Sequence, residues 1–332
     1  MIGYYIHHQG HGHLMRARAV CEQLDAPVTA LTSLPDATGP FHRVLRLPSD
    51  DGASDPRDVT ASGTLHWVPR HDPGLRARMA AIAGWIAAVR PEALVTDVSV
   101  EVALLARLHG VPVITMVLPG TRTDPPHHLV HELSDALIAA WPRELYRPAW
   151  LRRHEHKTHY VGGITRFAAP AFSPVARPRA HRPTVMIISG SGGDAFDTSA
   201  VEAAARDHPH YRWRTADSAH WVDDLWPQLC AADLVVARAG QGTIADIAAA
   251  ARPALVIPAP RPFGEQHATA HTLETAGLAT VSRTWPTPAE WPGLLARTAM
   301  LDARRWRAWE TEGAAERSAA IIDAVRRTAL AS

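Results

Sequence analysis

The chain has 332 residues, 46% of them apolar, with 34 basic and 33 acidic side chains and a formal net charge of +1. That length suits two domains of about 150 residues with a sizeable core each. The balanced charge excludes a global field drawing in a nucleic acid polymer or a membrane surface.

Cys21 and Cys230 stand far apart and form no CxxC pair, which suits a reducing compartment. Met1 leads into a strand rather than a signal peptide, and no apolar run reaches the ~20 residues of a membrane span. A soluble, cytoplasmic protein is expected, monomeric or homodimeric.

In chain order, Ile2–His7 reads as a strand. Leu14–Leu24 reads as a helix, with Leu14, Ala17, Val20, Cys21 and Leu24 at helical spacing. Pro27–Thr32 and Arg43–Leu47 read as strands, and Ser49–Arg57, rich in Asp, Gly and Pro, as a surface loop. Then come a helix over Pro73–Val89, a strand over Ala93–Thr96, a helix over Val100–His109 and a strand over Val111–Val117. Strands spaced by helices predict βαβ units and a parallel sheet. From Gly162 to Pro183 prolines break the pattern, the mark of a linker. The rhythm restarts with strands at Thr184–Ser189 and Leu234–Ala237, a helix at Ile244–Ala251 and a strand at Ala254–Ile257. A helix ends at Leu273–Ala276, and Glu290 to Leu330 reads as helical throughout. The expected domains are 1–161, a linker 162–183, 184–312, and a C-terminal helix 313–332 returning to the first domain.

In open α/β sheets ligands bind at the carboxyl ends of strands. Three Gly-rich turns fall there: Gly10–His13, Ser189–Gly193 and Gly240–Thr243. Glycine lets backbone approach a ligand, and a following helix offers free N–H groups to an anion. Singly, each turn could be only a tight βα connection; three, split between two halves, point to a phosphate-bearing ligand held between domains. None is a P-loop, for no GK[ST] follows.

The stretch from Leu234 to Ala279 contains RAGQGT, an acid, a Pro-rich strand and the pair Glu265-Gln266 before a helix. It resembles the donor-binding half of GT-B glycosyltransferases, above all the branch of the N-acetylglucosaminyltransferase that completes lipid II and its antibiotic-pathway relatives. The resemblance implies an α/β fold of two Rossmann-like domains facing across a cleft. It implies that Gly240, Gly242 and Thr243 meet the diphosphate of a UDP-sugar, with Arg238 before them. By the same resemblance Asp246 grips the ribose, although relatives usually carry the longer Glu. Glu265 and Gln266 read sugar hydroxyls, Val222 faces the uracil, and Ser191 and Gly192 lie near the phosphates. Each has a structural alternative: Asp246 and Glu265-Gln266 as first-turn helix residues, Arg238 as an ion pair.

In the same superfamily the first βα loop carries Gly-His, matched here by Gly12-His13. Neutral imidazole suits a base that deprotonates an attacking hydroxyl. Asp97 ends the strand ALVTD; in small-molecule glycosyltransferases an Asp after that strand pairs with the loop His, and the lipid II enzyme lacks it. The alternative for Asp97 is a plain N-cap. His7 is expected under the sheet, and His8 or His11 in the acceptor cleft. The spacing of His7, His8, His11 and His13 fits no familiar zinc site, so neither metal nor cofactor is expected. Pro119–His128 reads as a solvated loop over the acceptor side, with Arg122, His127 and His128 as candidate contacts. The expected function is an inverting, metal-independent transfer of N-acetylglucosamine or glucose from a UDP-sugar to a hydroxyl of a small soluble acceptor. A nucleotide-sugar epimerase of the same architecture and a non-catalytic nucleotide-sugar-binding protein are the alternatives.

Overall fold

A computed structural model describes residues 1–9, 11–167, 182–189, 195–216 and 224–331. The first half supplies β1 (Ile2–Ile6), α1 (His11–Cys21), β2 (Val28–Thr32), β3 (Arg43–Arg46), α2 (Pro73–Val89), β4 (Ala93–Asp97), α3 (Val100–Leu108), β5 (Val113–Val117), α4 (Pro125–Leu133), β6 (Ala136–Ala139) and β7 (Thr158–Tyr160). Its seven strands run in the order β3-β2-β1-β4-β5-β6-β7, every pair parallel. β1, β2, β4, β5 and β6 are buried at every residue. That is why they read as short β-rich runs without alternation: helices cover both faces of a parallel sheet.

The second half holds β8 (Thr184–Ile188), α5 (Thr198–Asp207), β9 (Arg212–Ala216), α6 (Leu225–Ala231), β10 (Leu234–Ala237), α7 (Gln241–Ala250), β11 (Ala254–Val256), α8 (Glu265–Thr275), β12 (Thr280–Val281), α9 (Trp291–Ala299) and α10 (Ala314–Ala331). Its five parallel strands run β12-β11-β10-β8-β9. In each sheet the chain reverses its direction of winding beside the first strand, at β1/β4 and at β8/β10. Those are the crevices where α/β sheets bind ligands.

Several expectations need correction. α1 begins at His11 rather than Leu14, and α7 at Gln241 rather than Ile244. Gly12 and His13, like Gly242 and Thr243, therefore sit in the first turn of a helix and not in a loop. Pro119–His128 is not a solvated loop. α4 starts at Pro125, because proline at the first helical positions loses no hydrogen bond, and Arg122 and His127 are 3% and 9% exposed. The C-terminal stretch is three segments, α9, a 3₁₀ turn over Ala303–Trp309, and α10; Glu310 and Gly313, both at positive φ, break it. α10 packs on the first sheet: Ile322 is fully buried in the same core as Ile2, Tyr4 and Ile138, and Arg326 pairs with Glu92 at 3.1 Å.

Candidate active site

β1 and β4 lie side by side with Ile6 opposite Asp97, so the start of α1 and the end of β4 share the first crevice. His13 Nδ1 stands 2.9 Å from Asp97 Oδ1. Asp97 is fully buried. Burial alone would push its carboxyl up, but the charges and hydrogen bonds of Arg16 and His13 outweigh it and hold the group well below the usual carboxylate range. Nδ1 faces two groups, the ionised carboxylate at 2.9 Å and Arg16 Nη2 at 3.2 Å; the nearer carboxylate favours the proton on Nδ1 and a lone pair on Nε2, the tautomer a general base needs. The backbone after Asp97 is strained: Val98, β-branched, has φ 79°, a conformation that costs energy and clusters at functional sites.

Arg16 is the residue that sequence reasoning missed. Its Nε donates to Asp97 Oδ2 at 3.0 Å and its Nη2 to Oδ1 at 2.6 Å, a bidentate clamp. Its Nη1 donates to Gln241 Oε1 at 3.0 Å, and Gln241 is the first residue of α7 in the second domain. One guanidinium thus joins the His13–Asp97 pair to the helix expected to hold a diphosphate. The available signal was its spacing, three residues after His13 and so on the same helical face.

On the second domain, Gly240 caps α7 with φ −67°, so the fold does not require glycine there. A Cβ at Gly240 or Gly242 would meet nothing within 4 Å. The glycines leave an open helix N-terminus whose N–H groups and dipole favour an anion. Thr243 follows in the same turn. Arg238 stacks over the Phe196 ring at 4.0 Å and donates to the Ile257 carbonyl at 3.3 Å. Asp246 is buried within α7. Thr165 donates to it at 2.7 Å and Arg166 pairs with it at 2.9 Å; burial pushes its carboxyl up against the pull of Arg166. Gln266 uses one oxygen to accept from the Ala239 and Ala259 amides at 3.1 and 2.9 Å, tying the loops after β10 and β11 together. Glu265, partly exposed, faces Arg122 of the first domain at 3.6 Å. Ser191, Gly192 and Val222 lie outside the described residues.

At the ends of β4 and β5 opens a cleft, with Val98, Met116, Val117, Arg122 and His127 on the first-domain side and Phe263 on the other. This is the neighbouring strand position to the His13–Asp97 pair, about 5 Å along the sheet. Gly12 has open space around it and His11 is exposed, but neither lines this cleft. His7 does not sit under the sheet. It stacks on His8 at 4.8 Å and meets His13 edge-on at 5.9 Å, and burial, with His13 and His8 adding to it, lowers it to about 3. His8 bonds Asp51 at 3.0 Å.

His66, Asp124 and His127 converge closely enough to hold a metal. Arg122 decides against that use of them. Its Nη1 lies 3.2 Å from His127 Nε2, and a guanidinium only donates. His127 therefore accepts at Nε2 and carries its proton on Nδ1, which faces Asp124. A metal on Nδ1 would leave two donors facing each other. His66 donates to the other Asp124 oxygen at 2.8 Å, completing a hydrogen-bond chain.

Two parallel α/β sheets with paired switch points define the two-domain architecture called GT-B, and the resemblance read from the sequence extends to the whole fold. The glycosyltransferase of kitacinnamycin superposes with a TM-score of 0.69 at 14% identity, covering 98% of both chains. MurG of Acinetobacter baumannii gives 0.65 at 15%, covering 97% of this chain and 99% of its own. More particularly, residues 175–288 match the glycosyltransferase family 28 C-terminal domain. Similar in sequence is the UDP-N-acetylglucosamine–N-acetylmuramyl-(pentapeptide) pyrophosphoryl-undecaprenol N-acetylglucosamine transferase of Corynebacterium efficiens, 31% identical over 116 residues. That match spans 30% of this chain and 32% of the relative's length.

Proposed function

We propose that the protein is an inverting glycosyltransferase that moves a hexose, N-acetylglucosamine or glucose, from a UDP-sugar to a hydroxyl of a small soluble acceptor. His13 Nε2 takes the proton of the acceptor hydroxyl. The oxygen attacks the anomeric carbon, the bond to the diphosphate breaks, and UDP departs with the electron pair. Asp97 fixes the His13 tautomer and stabilises the imidazolium that forms, as in hydrolase triads. The leaving diphosphate is received by the α7 N-terminus at Gly240–Thr243, where preformed N–H dipoles offset the developing charge, so the chemistry calls on no metal.

The observation that carries this reading is the Arg16 bridge: the His13–Asp97 pair and the first residue of α7 share one side chain, so base and diphosphate site stand within one side chain's reach. The test is calorimetric titration of UDP, dTDP, UDP-glucose and UDP-N-acetylglucosamine in EDTA, followed by UDP release against an acceptor panel. Micromolar UDP binding, with turnover lost in His13→Ala but binding kept, is the expected result. Failure to bind any nucleotide, or full turnover by His13→Ala, refutes the reading.

A further inference from the structure

Arg122 stands on the first domain, in the loop between β5 and α4, where it reads as an acceptor contact. Its surroundings give it another role. The guanidinium is fixed on four sides: Nε donates to the Pro119 carbonyl at 3.1 Å, Nη1 to His127 Nε2 at 3.2 Å, the plane lies 4.6 Å over the Phe263 ring, and Nη2 reaches Glu265 at 3.6 Å. His127 is itself held by Asp124, which also binds His66.

Phe263 and Glu265 belong to a single turn of the second domain, Pro262-Phe263-Gly264-Glu265. The turn is bent by two successive left-handed residues, Phe263 at φ 61° and Gly264 at φ 67°. The first domain grips this turn by its backbone as well. The Thr121 amide donates to the Phe263 carbonyl at 2.8 Å. At Gly120, φ +98°, a Cβ would come within 2.3 Å of that same oxygen, so only glycine permits the approach.

We propose that Arg122 is a positioning residue for the donor sugar. It holds the Glu265 carboxylate in place from across the domain boundary, so selectivity for the sugar is set in part by the first domain. This rests on reading Glu265 as a sugar contact. A 3.6 Å separation is an ion pair and not a hydrogen bond, so both Glu265 oxygens keep lone pairs for sugar hydroxyls while the charge behind them fixes their direction. The fork geometry matters, because a lysine cannot serve Pro119, His127 and Glu265 together.

Calorimetry with UDP and with UDP-N-acetylglucosamine or UDP-glucose, on the full chain, tests this without knowledge of the acceptor. Arg122→Ala is expected to weaken the UDP-sugar about ten- to a hundredfold, the worth of one charged hydrogen-bond set, with UDP itself unchanged. Glu265→Gln should give the same selective loss, the double variant no more, and Arg122→Lys an intermediate one. Equal loss for UDP and UDP-sugar, no loss, or additive losses in the double variant overturns the proposal. If Arg122→Ala does not fold, Arg122→Lys takes its place in the cycle with the same criteria. A wild-type chain that binds no nucleotide removes the proposed function instead, an outcome distinct from any of these.

Discussion

The carboxylate that His13 faces is not its alone. Asp97, fully buried, faces one imidazole nitrogen and two guanidinium donors. Its charge is shared between Arg16, the larger influence, and His13. The same arrangement makes the pair interdependent, since removing one partner of a buried ion pair strands the other. Arg16→Leu is expected to destabilise the protein by about 3–5 kcal/mol, read as a shift of the urea midpoint. A cost below about 1 kcal/mol would mean that solvent reaches Asp97 after all. Asp97→Asn should lower kcat by about 10²–10⁴, with UDP affinity unchanged, because the wrong tautomer of His13 is then favoured. The pairing of His13 with Asp97 was legible through the resemblance to small-molecule glycosyltransferases, which places a histidine after the first strand and an Asp at the end of ALVTD, and the two side chains do meet. Arg16 was not. Its spacing from His13 was a signal of shared helical face, but not that the side chain turns inward, and only the meeting of α1 with β4 and α7 makes it part of the site.

At the scale of elements, α4 departs furthest from the sequence reading. Its first four residues, Pro125–His128, read as the end of a loop because prolines and histidines fill them. Yet His127, Val130 and His131 fall at i, i+3 and i+4 and are all buried, the stripe of a core-facing helix written with imidazoles. His131 stacks on Trp150 at 5.2 Å. Burial lowers its pKa to about 3, with the neighbouring His127, His154, His128 and Arg122 charges adding to the shift. His127, lowered by burial against the pull of Asp124, falls to about 4. Unfolded histidine titrates near ~6.5. Below that pH the unfolded chain takes up protons that the folded chain refuses, so the stability these residues allow is complete above 6.5 and drains away as pH falls toward 4. Between pH 7 and pH 5 the two together are expected to cost about 2–4 kcal/mol. Because burial lowers His7 and His154 as well, His131→Leu should flatten the slope by about a quarter. Urea denaturation at pH 7, 6 and 5 reads both, and a midpoint that does not move between pH 7 and 5 would contradict the account. α7, by contrast, was legible through its glycines, and only its start was misplaced, because Gln241–Thr243 carry no apolar residue to announce a first turn.

For the whole molecule, the doubled βαβ rhythm revealed two halves, but not the individual hydrogen bonds that join them. Arg16 to Gln241, Thr121 to Phe263, and Gly163 to the Trp309 carbonyl at 2.9 Å each link segments with no periodic relation to one another, so no pattern in the chain could announce them. One larger link, the return of the C-terminal helix α10 to the first domain, was expected from the sequence and is what the packing shows. The final helix belongs by packing to the first half: Ala314, Ser318, Ala319 and Ile322 are buried at 0–2% exposure, and Arg317 donates to the Val161 carbonyl at 3.0 Å. The core around β1 and β6 is therefore completed by a helix that follows the second domain in the chain. Ile322→Ala should cost about 2–5 kcal/mol, and the cost should fall on the distant strands it covers. Amide exchange in the variant is expected to accelerate in β1, β4 and β6 while β8, β10 and β11 keep their protection, since sub-global opening follows packing rather than sequence. Acceleration spread evenly over both sheets would instead mean that the two halves unfold as one unit and that α10 has no particular allegiance to the first.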